Sequence, residues 1–408
     1  MSRSHFCTPH LLLALLLVAC SSGSDNTSSE GATSDSASSS SASASAGSSS
    51  HSATDPTVGS TASGGSGSES AGSTSASTDE STSAPGTTGT TGTTGTTGTT
   101  GTTGTTATTG TTGTTGTTGT TTGGMPAEPV RFVVLGDGGE GNDNQYMVAA
   151  EIEQVCAMRG CDFALYLGDN FYDDGVAAVD DSQFDTKFEQ PYADLDFPFY
   201  VVFGNHDYGL NSFDWYKADF EIEYTNYSDK WVLPSIYYDF VVGDVEFVAL
   251  DTTRLMWDKD TSEQAAWLQG KNADTESKWR VAFGHHPYVS DGAHGNAGNY
   301  EGLPWPPQVS GKVVKEFMDE GICEKFDIYF SGHDHNRQWH ESRCGVEFVV
   351  SGAAAKNTDF KFHDDNKVYW EDDQVPGFLW VEIDGDTLSG AFYDREGNLD
   401  FERSFSKP

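Results

Sequence analysis

Five short segments of this sequence place a metal-competent side chain in or beside a glycine-containing turn. They are Gly136-Asp137-Gly138-Gly139, Gly168-Asp169-Asn170-Phe171-Tyr172, Gly204-Asn205-His206-Asp207, Gly284-His285-His286-Pro287 and Gly332-His333-Asp334-His335. Taken singly, each has a plain structural reading. Asp-Gly is a routine turn, and Asp169 and Asn205 are ordinary turn formers. Tyr172 alone suggests packing or a loop hydrogen bond, and a histidine beside a strand is more often a hydrogen-bonded core or surface residue than a ligand. The pair His333 and His335 is more telling, because alternate residues of an extended stretch put both imidazoles on one face. All five together, in order and each after an apolar run, read as a site for two metal ions.

Such a site needs elements that deliver these turns to one edge. Arg131 to Leu135, Asp162 to Leu167 and Phe199 to Phe203 read as buried strands, with helical spacing from Gln145 to Ala157 between the first two. A strand, a helix and a strand in that order predict a right-handed crossover and a parallel sheet. Ligands then gather at the carboxyl ends of the strands. Ile236 to Val242 and Val245 to Leu250 flank Gly243-Asp244 as a hairpin. Gln264 to Lys271 and Val313 to Glu320 look helical; Trp279 to Phe283, Phe326 to Phe330 and Val346 to Val350 look extended. A last hairpin turns at Asp384-Gly385-Asp386, between Phe378 to Ile383 and Thr387 to Tyr393. The expected fold is α/β, with two mixed sheets facing each other and helices outside.

The five blocks resemble the pattern of calcineurin-like metallophosphoesterases and, more narrowly, purple acid phosphatases of the small tartrate-resistant type. The likeness runs from Arg131 to the terminal hairpin and implies a four-layer α/β/β/α sandwich. It implies that Asp137, Asp169, Tyr172 and His335 hold one metal, and that Asp169 as a bridge, Asn205, His285 and His333 hold the other. General members of the superfamily carry Asp-x-His in the first block, whereas Gly139 stands here. Tyr172, three residues after Asp169, takes the place of that imidazole, as in the purple acid phosphatases. Three anionic oxygens form a hard set suited to Fe(III), and the second set suits Fe(II), Zn or Mn. Ala282 replaces the Val usual three residues before the fourth-block histidine. His286 falls where relatives often have Tyr, so His285 and His286 compete as ligand; His285 directly follows Gly284, as the pattern requires.

Two such ions would clamp a phosphate, neutralise its oxygens and acidify a bound water. The leaving alcohol still needs a proton, which an imidazole can give. The resemblance offers His206, beside Asn205 and with Asp207 as its orienting partner, and His294 in the loop shortly after His285. The expected activity is hydrolysis of small phosphomonoesters as an acid phosphatase. A phosphodiesterase or nucleotidase on the same fold and an inactive surface scaffold are the alternatives.

The rest of the 408-residue chain is of another kind. Residues 21 to 125 are nearly all Ser, Thr, Gly and Ala, with an imperfect Gly-Thr-Thr repeat from about Gly86 to Gly123. Too little apolar surface lies there to offset the entropy of ordering, so it reads as a disordered tether with a reach of roughly 50 to 60 Å. Before it, Leu11 to Ala19 forms the apolar centre of an export signal, too short for a permanent membrane span. Leu17-Val18-Ala19-Cys20 resembles a bacterial lipobox. That implies a lipid on Cys20 and anchorage to the cell envelope; Ser21 favours the outer membrane, and plain secretion is the alternative. The catalytic domain is then residues 126 to 408.

Charge excludes one class of partner. The chain has 22 Lys and Arg against 61 Asp and Glu, a net charge of −39, and only Arg3 and seven of the acids precede residue 126. So acidic a domain repels polyanions, and nucleic-acid binding is not expected. The membrane enters only through the lipid, and a monomer is expected. Cys156 with Cys161, and Cys323 with Cys344, make the most natural disulfides among three possible pairings. A zinc site lacks Cys-x-x-Cys spacing.

Overall fold

A computed structural model describes residues 128–407. The leader, Cys20 and the Ser/Thr/Gly-rich tract lie outside the described residues. The first strand, β1 (Val130–Leu135), is an apolar run buried at every residue but Arg131. Runs of this kind suit a strand covered on both faces, and β1 pairs in parallel with β2 (Phe163–Tyr166). The crossover between them is the helix Asp143–Arg159. Asn142 caps its first turn by accepting the Gln145 amide at 3.0 Å, which satisfies an N–H the helix cannot. Gly160, at φ 84°, ends it.

The remaining strands are β3 (Phe199–Val201), β4 (Trp231–Val232), β5 (Tyr238–Val242), β6 (Val245–Ala249), β7 (Trp279–Phe283), β8 (Ile328–Ser331) and β9 (Arg337–His340). They are followed by β10 (Glu347–Ser351), β11 (Val368–Asp372), β12 (Gly377–Asp384), β13 (Thr387–Asp394) and β14 (Leu399–Ser406). One sheet runs β14-β13-β12-β1-β2-β3-β4 and the other β11-β9-β10-β8-β7-β6-β5. In the first, β1 to β4 are parallel and β12 joins β1 antiparallel; in the second, β6, β7, β8 and β10 form the parallel centre.

The period of two along a strand decides the layering. Phe247, Val281 and Phe330 belong to the apolar core shared with the first sheet, while their neighbours Val248, Ala282 and Tyr329 pack with Leu268, Phe317 and Met318. Those last three come from the outer helices Thr261–Ala273 and Lys312–Gly321. Between the sheets, Phe132 stacks on Phe163 at 5.2 Å and meets Phe247 edge-on at 5.3 Å. Helix, sheet, sheet and helix make the expected four layers. Cys156–Cys161 and Cys323–Cys344 are disulfide-bonded. No helix among the described residues is long and apolar enough to cross a membrane.

Sequence reading missed β4, β9, β11 and β14, and the helix Lys217–Tyr224. β9 is the instructive case. Arg337, Gln338 and His340 are all buried in it, which no apolar periodicity signals. Arg337 is neutralised from distant segments, by Asp400 at 2.7 Å and Asp372 at 2.9 Å.

Candidate metal centre

The turns after β1, β2, β3, β7 and β8 carry the candidate ligands to one place. Asp137, Asp169 and His333 take positive φ, at 59°, 51° and 68°. Left-handed backbone is costly for such residues and persists where surroundings enforce it, often at functional sites. Here the turns hold one another. The Asp137 amide donates to Gly168 O at 3.0 Å, His333 N to Asp137 Oδ2 at 2.9 Å, and His206 N to Asp169 Oδ1 at 2.9 Å.

Two donor groups result, and Asp169 belongs to both. In the first, Tyr172 Oη lies 3.0 Å from Asp137 Oδ1, 2.8 Å from Asp169 Oδ2 and 3.1 Å from His335 Nε2. In the second, His285 Nε2 lies 3.1 Å from Asn205 Oδ1, 3.1 Å from His333 Nδ1 and 3.4 Å from Asp169 Oδ1. One donor atom each from Asp137, Asp169 and His335, and likewise from Asp169, His285 and His333, falls within 4.8 Å of the others. Every ligand candidate from the sequence is therefore in one place.

The two adjacent histidines differ in their partners. His285 Nδ1–H donates to Leu167 O at 2.9 Å, which leaves the Nε2 lone pair facing the centre. His286 is buried to one side, with Nδ1 against Thr252 Oγ1 at 3.0 Å. Gly139 bears on the first group. A Cβ there would overlap the Asn170 backbone, so no imidazole can grow from that position. The Tyr172 phenol fills the vacancy, its amide donating to Gly139 O at 3.0 Å.

The electrostatics fit cations. Burial pushes the Asp137 carboxyl up to about 7, His285 opposes this, and the neighbouring Asp169 adds to it. Burial works against Asp169 too, but His285 and His206 hold it below the usual carboxylate range. Two carboxylates this close and dry do not both ionise without positive charge between them. Burial holds His333 well below the ordinary imidazole value and His335 down at about 3, so both present neutral lone pairs. Burial and the two carboxylates push the Tyr172 phenol up, so a phenolate there requires a strongly charged cation. Buried oxygens and neutral imidazoles converging in this way suit two metal ions, the harder one beside Tyr172.

His206 and His294 flank the two groups. His206 Nδ1–H donates to Asp173 O at 2.7 Å, and its ring lies 4.5 Å from that of Tyr172. The expectation that Asp207 orients His206 is thus corrected. Asp207 is buried and accepts the amides of Gly204, Asn170 and Phe171 at 2.7, 2.8 and 3.1 Å, tying the second and third turns together. His294 stacks on His333 at 3.9 Å. Its amide donates to Asp334 Oδ1 at 2.8 Å and its Nδ1 lies 2.5 Å from Glu301 Oε1. Burial opposes its charge, yet the hydrogen bond to Glu301 and the charges of Asp334, Glu301 and Asp137 together outweigh this and lift it to about 9.

Sequence reasoning missed Glu301, Asp334 and Lys356. Asp334 was visible as the residue between two ligand candidates, pointing the other way. Glu301 and Lys356 leave no local signal.

The sequence profile of the calcineurin-like phosphoesterase family matches residues 130–337, half of the chain, and spans every residue of both groups. The chain belongs to that family. Among curated proteins, this phosphoesterase is 29% identical to rat tartrate-resistant acid phosphatase type 5 over 69% of its own length and 92% of the relative's. It is 28% identical to purple acid phosphatase 4 of Arabidopsis thaliana, covering 67% and 82%. Two solved structures share the fold: purple acid phosphatase PPD1 of yellow lupin (TM-score 0.52, 16% identity, 69% and 54% covered) and a Plasmodium protein described as the anchor in the inner membrane complex, GAP50 (0.56, 19%, 69% and 89%).

Proposed function

We propose that this phosphoesterase is a dinuclear acid phosphatase hydrolysing small phosphomonoesters. The observation that carries the reading is the Tyr172 phenol, which lies within 3.1 Å of Asp137, Asp169 and His335 opposite a Gly139 that leaves no room for histidine. Asp137, Asp169, Tyr172 and His335 hold Fe(III); Asp169, Asn205, His285 and His333 hold Fe(II), Zn or Mn. When bound, the two ions neutralise phosphate oxygens and acidify water.

The chain's own residues do the rest. Because Nδ1–H of His206 is engaged by Asp173 O, the ring presents Nε2 to the substrate side. Protonated there, it donates to the departing alkoxide oxygen, so that the P–O bond electrons leave as an alcohol. His294, kept cationic by Glu301, offers Nε2–H to a phosphate oxygen as a fixed positive charge. A lipid on Cys20 anchors the enzyme to the envelope, and the Ser/Thr/Gly tract lets it range from that anchor.

The test loads the full chain with iron and zinc, records its visible spectrum, and compares hydrolysis of a simple aryl phosphate with that of a bis-aryl phosphate. A visible band lost in Tyr172→Phe, with the monoester preferred, is expected. Preference for the diester would make it a phosphodiesterase. Full metal content without turnover of either substrate would make it a scaffold. An unchanged spectrum in Tyr172→Phe would refute the tyrosine as ligand.

A further inference from the structure

Tyr172 is surrounded by more than its candidate metal partners. The Lys356 ammonium lies 3.2 Å from the centroid of its ring. A lysine with 28% of its side chain exposed gains most solvation by reaching outward; this one is turned onto a phenol. Its segment is fastened to the first turn of the site. Ala354 N donates to Gly136 O at 3.1 Å, Asn142 Nδ2 donates to Ala355 O at 3.0 Å, and Lys356 Nζ pairs with Glu140 at 2.6 Å. Beyond it, Thr358 N donates to the carbonyl of His335 at 2.8 Å. A second ammonium, Lys187, donates to the Tyr172 carbonyl oxygen. The ring therefore meets Lys356 and His206, and its backbone meets Lys187.

A cation over an aromatic face is attracted by the ring's negative quadrupole, and more strongly when the ring carries phenolate charge. We infer that Lys356 is a positioning residue for Tyr172, fixing the plane of the ring and withdrawing electron density from its oxygen. This rests on the reading of Tyr172 as a ligand to Fe(III). Its consequence is spectroscopic. Visible absorption of an iron-phenolate pair moves electron density from the phenolate to the iron, and a cation on the ring makes that transfer harder. Removing the cation makes it easier, so the band moves to longer wavelength.

The experiment uses the full iron-loaded chain as wild type, Lys356→Met, Lys356→Arg and Glu140→Gln, with iron content measured for each. The band of Lys356→Met is expected to move to longer wavelength, because the phenolate loses the cation that stabilises its charge. Lys356→Arg restores the wild-type position, because a guanidinium also stacks on the ring. Glu140→Gln keeps the ammonium and leaves the band in place. An unmoved band in Lys356→Met at equal iron content overturns the role of Lys356 alone. Absence of any visible band in the iron-loaded wild type overturns the ligand reading beneath it.

Discussion

Replacing Glu301 by glutamine removes the carboxylate that keeps His294 charged while retaining an amide oxygen for its Nδ1–H. His294 stands at about 9 with Glu301 in place. Without that charge, burial still lowers it and Asp334 and Asp137 still raise it, so it falls toward roughly 6.5, the ordinary imidazole value. Glu301 has 45% of its side chain exposed, so water screens part of its effect; a fall to about 7.5 is the smaller estimate. At pH 8 an imidazole of pKa 9 is roughly 90% protonated, one of 7.5 about 25% and one of 6.5 about 3%. The kcat/KM for an aryl phosphate at pH 8 is therefore expected to drop roughly 4- to 30-fold in Glu301→Gln, and less than about twofold at pH 5, where both forms are charged. A cation held by His333 lowers both values together and moves this window to lower pH, so the shape of the variant-to-wild-type ratio across pH, rather than its position, carries the test. The stability signs agree. A raised histidine contributes fully below its unfolded value near 6.5 and loses the contribution as pH rises through about 9. Glu301, held below its usual range against the cost of burial by His294, contributes above its unfolded value near 4.3 and loses it as pH falls. An equal loss of kcat/KM at every pH would refute the reasoning, because it would mean that Glu301 merely shapes the loop.

His206→Ala is expected to lower kcat by about 10- to 1000-fold with metal content unchanged, read by single-substrate kinetics beside elemental analysis; loss of metal together with activity would remove His206 from proton delivery. The net charge of −39 gives the salt dependence a definite sign. An acidic surface repels a phosphate dianion, and the Debye length shortens from about 30 Å at 0.01 M to about 8 Å at 0.15 M. The kcat/KM should therefore rise with ionic strength; a fall would mean that a local positive field dominates the approach.

What the sequence made legible depended on range. Each candidate ligand sits in a turn directly after an apolar run, so strand pattern and ligand type could be read in one short window. The layering was equally local, because Phe247 and Val248, or Phe330 and Tyr329, face opposite ways by the period of a strand alone. Partners arriving from far along the chain were not legible. β9 looks too polar to be a strand because Arg337 meets its neutralising acids only after folding, 35 and 63 residues on. Lys356 reaches Tyr172 from the connection between β10 and β11, far along the chain, and nothing in its neighbourhood announces it.

Asp207 shows why the same residue type misleads within one motif. Beside His206 in sequence, it invites the role of orienting that ring. Yet a buried carboxylate at a crowded junction is best used where N–H groups would otherwise be left without partners, and three amides from two turns converge on it. Asp334 does the same for the His294 loop, accepting from His294 N at 2.8 Å and Ser290 Oγ at 2.5 Å. Asp251 likewise accepts the Arg254 amide at 2.9 Å in the turn that carries Thr252 beneath His285 and His286. The acids at this centre thus divide by what faces them. Asp137 and Asp169 also accept a backbone amide each, but direct their remaining oxygens at imidazole and phenol, where a cation fits. Asp207, Asp251 and Asp334 spend theirs on the loops and hold the donor atoms still. Part of the acidity of this chain is therefore internal scaffolding for its ligand turns.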